Sequence, residues 1–318
     1  MKLSLFDLHC DTAYEMRRQG QGLEKNSLAV SLQKAGCFER YLQVMAHWTD
    51  SALDDEEGWK AFYSVWNNLQ SDPAVQKGKA GISTVCPPPD HRPTLLLAVE
   101  DARILGGRLE RVDELFRLGI RILTPLWKGE TCIGGSHDTA SGLTEFGKEA
   151  LLRASKLGMI LDLSHASERS SWEILEIAEK ANRPVIASHS NAYDLCPVSR
   201  NLKKEQIQAV IDHDGIVGIN LHCPFLSIDG KATADHVTKQ ISYFLELGAA
   251  DHLALGCDMD GCQLPTDLSD LSRLPLLAEK LLAANYPQSL IQKIFYQNAY
   301  SFAQKYLREE IDTSAQSL

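Results

Sequence analysis

Short and almost continuous apolar runs recur along the 318-residue chain, separated by longer amphipathic stretches. A strand that is buried on both faces has such a run, because neither of its faces meets water. We therefore predict eight parallel strands, over Leu3–His9, Tyr41–His47, Thr94–Glu100, Ile120–Trp127, Met159–His165, Pro184–His189, Gly215–His222 and Leu253–Asp258.

The stretches between these runs carry apolar residues at helical spacing, and several end at a glycine or before a proline. We predict helices over Asp54–Gln70, Arg103–Leu118, Thr144–Leu157, Ser167–Ala181, Lys203–Asp212 and Ala234–Leu247. The irregular segment Ser71–Pro93 predicts a loop or a small hairpin. Closing helices over about 271–308, followed by a polar tail, are expected at the end of the chain.

Strands that alternate with helices indicate βαβ units and a parallel sheet. Eight such units predict an α/β fold that closes into a (β/α)8 TIM-type barrel. A doubly wound open sheet is the alternative, but no Gly-x-Gly-x-x-Gly motif follows the first strand. We expect residues 1–318 to form a single barrel domain, because such barrels commonly reach this length.

Composition narrows the classes of partner. The formal net charge is −10 and no block of Lys and Arg is present, which argues against nucleic acid or an anionic membrane surface. The sequence contains no run of about 18 apolar residues, so no membrane span is predicted. The first residues are charged too early for a signal peptide, so a cytoplasmic location with reduced thiols is expected. A homodimer is left open.

Ligand-type side chains stand where predicted strands end, which is the edge of a barrel that carries the site. By alternation, His9 and Asp11 project to the same side after the first run. Glu100 ends the third run, and burying its carboxylate is unfavourable without a cation or a hydrogen-bond donor. His165 and His189 end the fifth and sixth runs. Imidazoles and carboxylates that converge in this way can hold a divalent metal ion.

Other polar residues at the strand ends are expected to have structural roles or are assigned no role. His47 and His222 are assigned no role, because a single histidine there is more often structural. Asp260 is expected to serve a turn or to cap a helix. Asp162 is expected either to lie inside the barrel or to orient a ligand histidine as a hydrogen-bond acceptor.

A series of motifs runs from near the start of the chain to about Gly261: FDLHCDT, LAVE, GLTEFGKE, LGMILDLSH, PVIASHSNAY, the SRN tripeptide and GCDMDG. Together and in this order they resemble the membrane dipeptidase (renal dipeptidase) family of binuclear zinc peptidases, peptidase family M19. The resemblance is to a soluble, bacterial-type member. It implies a barrel of the metal-dependent amidohydrolase kind.

The resemblance implies a role in metal binding for five matched positions. His9 and Asp11 would bind the first of two divalent ions, most simply Zn²⁺. Glu100 would bridge both ions. His165 and His189 would bind the second ion.

The resemblance also implies the reaction. A hydroxide bridging two zinc ions would attack the peptide bond of a small dipeptide, including dipeptides with a D-residue at the C-terminal position. Asp258 would exchange a proton with the bridging water, and Glu100 would share in catalysis as the bridge. Arg200, in the SRN tripeptide, would face the carboxylate of the substrate.

One position departs from the family pattern. Mammalian-type members have a substrate-contacting histidine at the end of the fourth strand, where this chain has Trp127. A tryptophan ring nitrogen cannot accept a hydrogen bond, so substrate preference and rate come into question here. His137, in the loop that follows, is a candidate substitute, although an exposed loop histidine is the simpler interpretation.

Two other hypotheses stay open. The same hydroxide could act on N-acyl amino acids, cyclic amides or lactones, and such substrates would not require Arg200. A barrel reused as a non-enzymatic binding protein would be expected to lose its metal ligands, yet all seven implied metal and catalytic positions carry suitable side chains.

Overall fold

A computed structural model describes residues 2–87 and 90–308. Its strands are β1 Leu5–Cys10, β2 Tyr41–Trp48, β3 Gly81–Ser83, β4 Thr94–Glu100, β5 Ile120–Thr124, β6 Ile160–Asp162, β7 Val185–Ala187, β8 Ile216–Ile219 and β9 Leu253–Leu255. All pairings between them are parallel, and β1 pairs with both β2 and β9. Because β2 also pairs with β4, eight of the described strands close into a ring. The predicted (β/α)8 TIM-type barrel is confirmed.

The strand β3 lies in the segment that we predicted to be a loop or a small hairpin. It pairs in parallel with the first half of β4, whereas β5 pairs with the second half. A hairpin requires antiparallel strands, so that alternative was wrong. The segment also contains a short helix, Pro73–Gln76, while Pro88 and Pro89 lie outside the described residues.

Helices follow most of the strands and pack around the barrel. The α-helices are Thr12–Gln19, Leu32–Ala35, Asp55–Gln70, Pro73–Gln76, Glu110–Arg117, Glu145–Lys156, Glu168–Lys180, Lys204–Asp212, Cys223–Leu226, Ala234–Glu246, Pro275–Ala283, Gln288–Gln292 and Asn298–Tyr306. Shorter 3₁₀ turns are Ala102–Leu105, Ala249–Asp251, Thr266–Leu268 and Leu271–Arg273, and Lys293–Gln297 is a π-helical turn. No helix among the described residues is long and apolar enough to cross a membrane.

The capping residues explain where several helices begin. Asp54 accepts hydrogen bonds from the backbone of Glu56 and Glu57 in a capping box. Thr144 and Ser167 cap two later helices by accepting one backbone hydrogen bond each, from Gly147 and Ser170. The predicted helix Arg103–Leu118 was wrong as one element, because it is split into a 3₁₀ turn and a shorter helix. The split occurs at Gly106 and Gly107, whose φ angles of 54° and 72° lie in the left-handed region.

Alternate strand residues fill the barrel interior. Apolar side chains such as Leu8, Val44 and Ala98 occupy its lower part. The end of the barrel opposite the site is closed by the C-terminal helices, which pack Ala299 and Ala303 against this interior. The polar tail expected after them lies outside the described residues.

Candidate metal centre

A bulge in β1 turns His9 toward the mouth of the barrel. Asp7 pairs with Gln43 and Cys10 with Met45, so two residues of β1 lie opposite one residue of β2. In a bulge of this kind, two consecutive side chains share a face. Leu8 therefore packs inside the barrel while His9 also faces inward above it. From His9 to Asp11 the side chains alternate as predicted, with Cys10 in the outer core between them. The bulge, which was not predicted, puts this pair on the inner face.

Glu100 stands at the centre of the candidate site. It ends β4, whose side chains alternate regularly and place Glu100 on the same face as the interior residue Ala98. Its Oε2 lies 3.5 Å from His9 Nε2. Its other oxygen, Oε1, lies 3.0 Å from His165 Nε2 and 3.4 Å from His189 Nε2. The two carboxylate oxygens of one residue thus face two separate sets of ligand atoms.

The structure brings the five predicted ligand residues together in two groups that share Glu100. One group adds His9 and Asp11, and the other adds His165 and His189. Within each group the ligand atoms lie within 4.8 Å of one another. Ligand atoms at about 2.0–2.1 Å around one tetrahedral cation are separated by roughly 3.3 Å. The separation of 3.6 Å between His9 Nε2 and Asp11 Oδ2 is close to that value.

Several buried polar atoms in these groups have no partner that would explain them. Among the described residues, His9 Nε2 and Asp11 Oδ1 are buried without a hydrogen bond. The Nε2 atoms of His165 and His189 lie only 2.9 Å apart. Such atoms are rare inside proteins, because an unpaired buried polar group is unfavourable. Imidazoles and carboxylates in this arrangement fit a metal cation.

The other nitrogens of two of the histidines are held by the protein. His165 Nδ1 donates to the backbone oxygen of Trp127 at 3.1 Å, and His189 Nδ1 lies 2.7 Å from Ser188 Oγ. Ser188 donates its own hydroxyl proton to Asp162, so His189 must be the donor to Ser188. Both Nε2 lone pairs are then free for a cation.

Asp162 therefore takes both of the places that we had proposed for it. It is fully buried in the barrel and also accepts hydrogen bonds from Thr124 Oγ1 and from the backbone of Ser164 and Ser188. It orients His189 through Ser188 rather than directly. Ser188 was not predicted, since a serine beside a histidine carries no signal of its own.

Two glycines let Ser188 and His189 approach the barrel axis. A Cβ atom on Gly218 would lie 2.0 Å from the backbone oxygen of Ser188, and one on Gly256 would lie 1.7 Å from it. Both distances are far inside van der Waals contact. Only glycine fits at these two positions while His189 stays in place.

The Gly256→Ala variant is expected to displace His189. The free energy of unfolding should fall by about 3 kcal/mol, at the upper end for an overpacked core, and the bound metal should decrease. Denaturant unfolding and elemental analysis measure the two effects. Gly58→Ala is the control, because its Cβ would meet side-chain methyl groups at 3.3 and 3.4 Å within a helix. Wild-type stability and metal content in Gly256→Ala would contradict this account of the close approach.

Burial and mutual charge shift the pKa values of the clustered groups. Burial lowers the pKa of His165 to about 4, and the nearby Arg200 charge acts in the same direction. Burial opposes ionisation of Glu100, yet the charge of His9 beside it holds its pKa well below the ordinary value. Burial raises the pKa of Asp11. The charged carboxylate of Glu100, shared by both groups, therefore offers a negative charge to a cation.

Asp258 lies beside both groups. Its carboxylate falls within the same 4.8 Å limit of His9 and His189, and Asn220 donates to its Oδ2 at 3.0 Å. Asp258 and His165 have φ angles of 57° and 69°, which non-glycine residues rarely adopt. Strained backbone of this kind clusters at functional sites. Asn220 was missed in the sequence analysis, although it stands at a strand end two residues before His222.

Arg200 lies against the cluster from the side of β7. It is 3% exposed and donates to Ser190 Oγ and to the backbone oxygen of His189. Its Nε is buried without a partner among the described residues. Burial lowers the pKa of Arg200 to about 10, so the guanidinium remains charged at neutral pH. The guanidinium is thus fixed, charged and not fully satisfied.

A cavity of about 540 Å³ opens above the cluster, and Trp127 lines it. His47, which ended the predicted second strand and was assigned no role, does not line this cavity. His47 points outward against Phe62, and the next residue, Trp48, lines the cavity. His222 does line the cavity, with its Nδ1 accepting from the backbone of Gln263.

His137 and Asp260 are also at this cavity. His137 is half-buried rather than exposed, and its ring centre is 5.9 Å from that of His165. Asp260 accepts from Thr12 and from the backbone of Ala29 and Val30. Asp260 lies in a turn, one of the two roles that we expected, and it also anchors the loop after the first helix.

Comparison with known proteins gives a family. The family model described as membrane dipeptidase (peptidase family M19) matches residues 1–311. A Klebsiella pneumoniae protein described as an uncharacterized protein in the pqqA 5′ region is 34% identical over 212 residues, which are 63% of this chain and 77% of that protein.

Solved structures share the fold. A metallo peptidase from Rhodobacter sphaeroides, liganded with a phosphinate mimic of the dipeptide L-Ala-D-Ala, has a TM-score of 0.88 at 22% identity and covers 96% of this chain and 100% of its own. The probable dipeptidase PvdM from Pseudomonas aeruginosa has a TM-score of 0.84 at 18% identity, covering 96% of each chain. At these identities the likeness shows the fold alone. With the match over residues 1–311, the chain belongs to the membrane dipeptidase family, peptidase family M19, and is a metal-dependent dipeptidase.

Proposed function

We propose that this dipeptidase uses two zinc ions, one held by His9, Asp11 and Glu100 and one by Glu100, His165 and His189. The observation that carries the proposal is the placement of the two Glu100 oxygens, which face different histidines at 3.0 to 3.5 Å. Histidine nitrogens and carboxylate oxygens are ligands that zinc prefers in catalytic sites.

The metal ions and the residues around the cluster have separate roles in hydrolysis. When bound, two such cations lower the pKa of a shared water to near neutrality and polarise the carbonyl of the peptide bond. Asp258 accepts the proton of the attacking water and returns it to the leaving amine. Burial raises the pKa of Asp258, which favours proton uptake by this carboxylate. Asn220 keeps it oriented through Oδ2.

Arg200 is proposed to bind the C-terminal carboxylate of the substrate. Its charge lies beside the cluster and its buried Nε has no partner among the described residues. A fixed guanidinium next to the scissile bond selects short substrates, because a longer chain would have no carboxylate there.

The Arg200→Met variant is expected to lower kcat/KM for a dipeptide by about 100-fold, mostly through KM, because a charged hydrogen bond in a buried site is lost. Steady-state kinetics and zinc content are measured together, and zinc should be retained. Arg169→Met, at a largely exposed arginine, is the matched control. A KM within threefold of wild type would contradict carboxylate binding and favour a substrate without a free carboxylate, such as a cyclic amide or a lactone.

We also propose that dipeptides with a C-terminal D-residue are accepted. The support is the Rhodobacter sphaeroides structure, whose ligand mimics L-Ala-D-Ala, on a shared fold. The test compares L-Ala-D-Ala with L-Ala-L-Ala on zinc-reconstituted protein, with a chelator as control. Hydrolysis of both, abolished by the chelator, is expected. Hydrolysis of the L,L dipeptide alone would remove this part of the proposal.

A further inference from the structure

Three aromatic side chains form one side of the cavity above the metal centre. Tyr14 belongs to the helix after β1, Trp48 ends β2, and Trp127 follows β5. The ring of Trp48 meets Tyr14 edge-on at 4.8 Å and Trp127 edge-on at 5.1 Å. We call these three residues the aromatic wall. Since each ring braces the next, the wall is a preformed apolar surface.

The aromatic wall and Arg200 come from opposite sides of the barrel ring. Its residues come from β1, β2 and β5, which occupy one arc of the barrel. Arg200 follows β7 and packs toward Phe225, which follows β8, on the other arc. Glu100 lines the cavity, and its side chain reaches from β4, on the arc of the wall, to His165 and His189 on the other arc. A dipeptide whose C-terminal carboxylate meets Arg200 and whose carbonyl lies over the cluster must extend its N-terminal residue toward the aromatic wall.

The aromatic wall offers apolar surface rather than free charge. The carboxylate beside it, Glu15, is held by Arg18 through two hydrogen bonds at 2.8 and 2.6 Å. The charge of Lys128 also stands on the cavity lining, next to Trp127. The indole N–H of Trp48 has no partner among the described residues, so neighbouring rings position Trp48 rather than a hydrogen bond. A cationic substrate side chain therefore gains little binding free energy here, whereas a large apolar side chain gains binding free energy because its surface is removed from water.

We propose that the aromatic wall binds the side chain of the N-terminal residue of the dipeptide and selects large apolar or aromatic side chains. This inference rests on the proposed function, because Arg200 sets the direction of the substrate. The cavity of about 540 Å³ has room for a dipeptide with a large side chain. Substrates such as Phe-Gly and Leu-Gly are then preferred over Ala-Gly and Lys-Gly.

The test measures kcat/KM on zinc-reconstituted protein for Phe-Gly, Ala-Gly, Lys-Gly and the reversed dipeptide Gly-Phe. Burial of a large apolar side chain should favour Phe-Gly over Ala-Gly by about 10- to 100-fold. In Trp48→Ala this ratio should fall to within about threefold of unity. Trp172→Ala is the control, because Trp172 is exposed and does not line the cavity, and it should keep the wild-type ratio.

Protein quality is checked by thermal unfolding and zinc content of each variant. If Trp48→Ala does not fold, Trp48→Leu replaces it, and the ratio of Phe-Gly to Leu-Gly should shift toward Leu-Gly. Three results would overturn the aromatic wall as the site of the N-terminal side chain. They are a wild-type ratio of Phe-Gly to Ala-Gly near one, a preference for Lys-Gly, and a preference for Gly-Phe that Trp48→Ala removes. In each of these results dipeptides are still cleaved, so the proposed function stands. Absence of hydrolysis of every dipeptide would remove both.

Discussion

Replacing Glu100 with glutamine is expected to lower kcat/KM for dipeptides by more than about 10³-fold and to reduce the bound zinc to less than one ion per chain. Glu100 presents one oxygen to His9 and the other to His165 and His189. A neutral amide keeps the shape but offers a single oxygen, and it removes a negative charge between the two proposed metal sites. Steady-state kinetics and elemental analysis of the purified variant measure both effects.

Glu145→Gln is the matched control for this variant, because the Glu145 side chain is 92% exposed and lies at the start of an outer helix. It should keep wild-type activity and metal. A Glu100→Gln protein that retains two zinc ions and most of its activity would show that Glu100 does not bridge a metal cluster.

Replacing Asp258 with asparagine is expected to lower kcat by about 10³-fold while two zinc ions remain bound. The carboxylate is proposed to carry a proton between the attacking water and the leaving amine, and an amide cannot take up that proton. The shape is conserved, so the substrate should still bind with a KM within a few-fold of wild type. Kinetics at saturating dipeptide and zinc content are measured on the same preparation.

Asp258→Asn also separates two roles that the geometry brings close together. Asp258 lies near His9 and His189, so it could act as a ligand instead of as a proton carrier. Loss of one zinc together with the loss of rate would assign it to the metal. Asp235→Asn, at a largely exposed aspartate, is the control and should change neither quantity.

The barrel and most of the candidate site followed from local features of the sequence. Glu100 was predictable because β4 alternates without interruption, so a carboxylate after LAV must face inward. The eight apolar runs each became a barrel strand, because each is buried on both faces in the closed ring. The ligand histidines followed from their positions at the strand ends together with the family resemblance.

Other parts of the site depend on contacts between distant segments, which one run of residues does not reveal. The β1 bulge at His9 exists only relative to β2, so alternation within β1 could not predict it. His47 was assigned no role; it faces outward against Phe62, and Trp48 holds the inward place. The hydrogen bonds by which Asp162 and Ser188 hold His189 depend on how β6 and β7 align, and this alignment cannot be read from either strand alone.

The most direct test of the two-ion centre is a zinc titration of metal-free protein, followed by the initial rate of dipeptide hydrolysis and by bound zinc. The paired groups around Glu100 predict that rate and binding both reach a plateau at two zinc ions per chain. A plateau at a single ion, or full activity in the metal-free protein, would contradict a cluster bridged by Glu100.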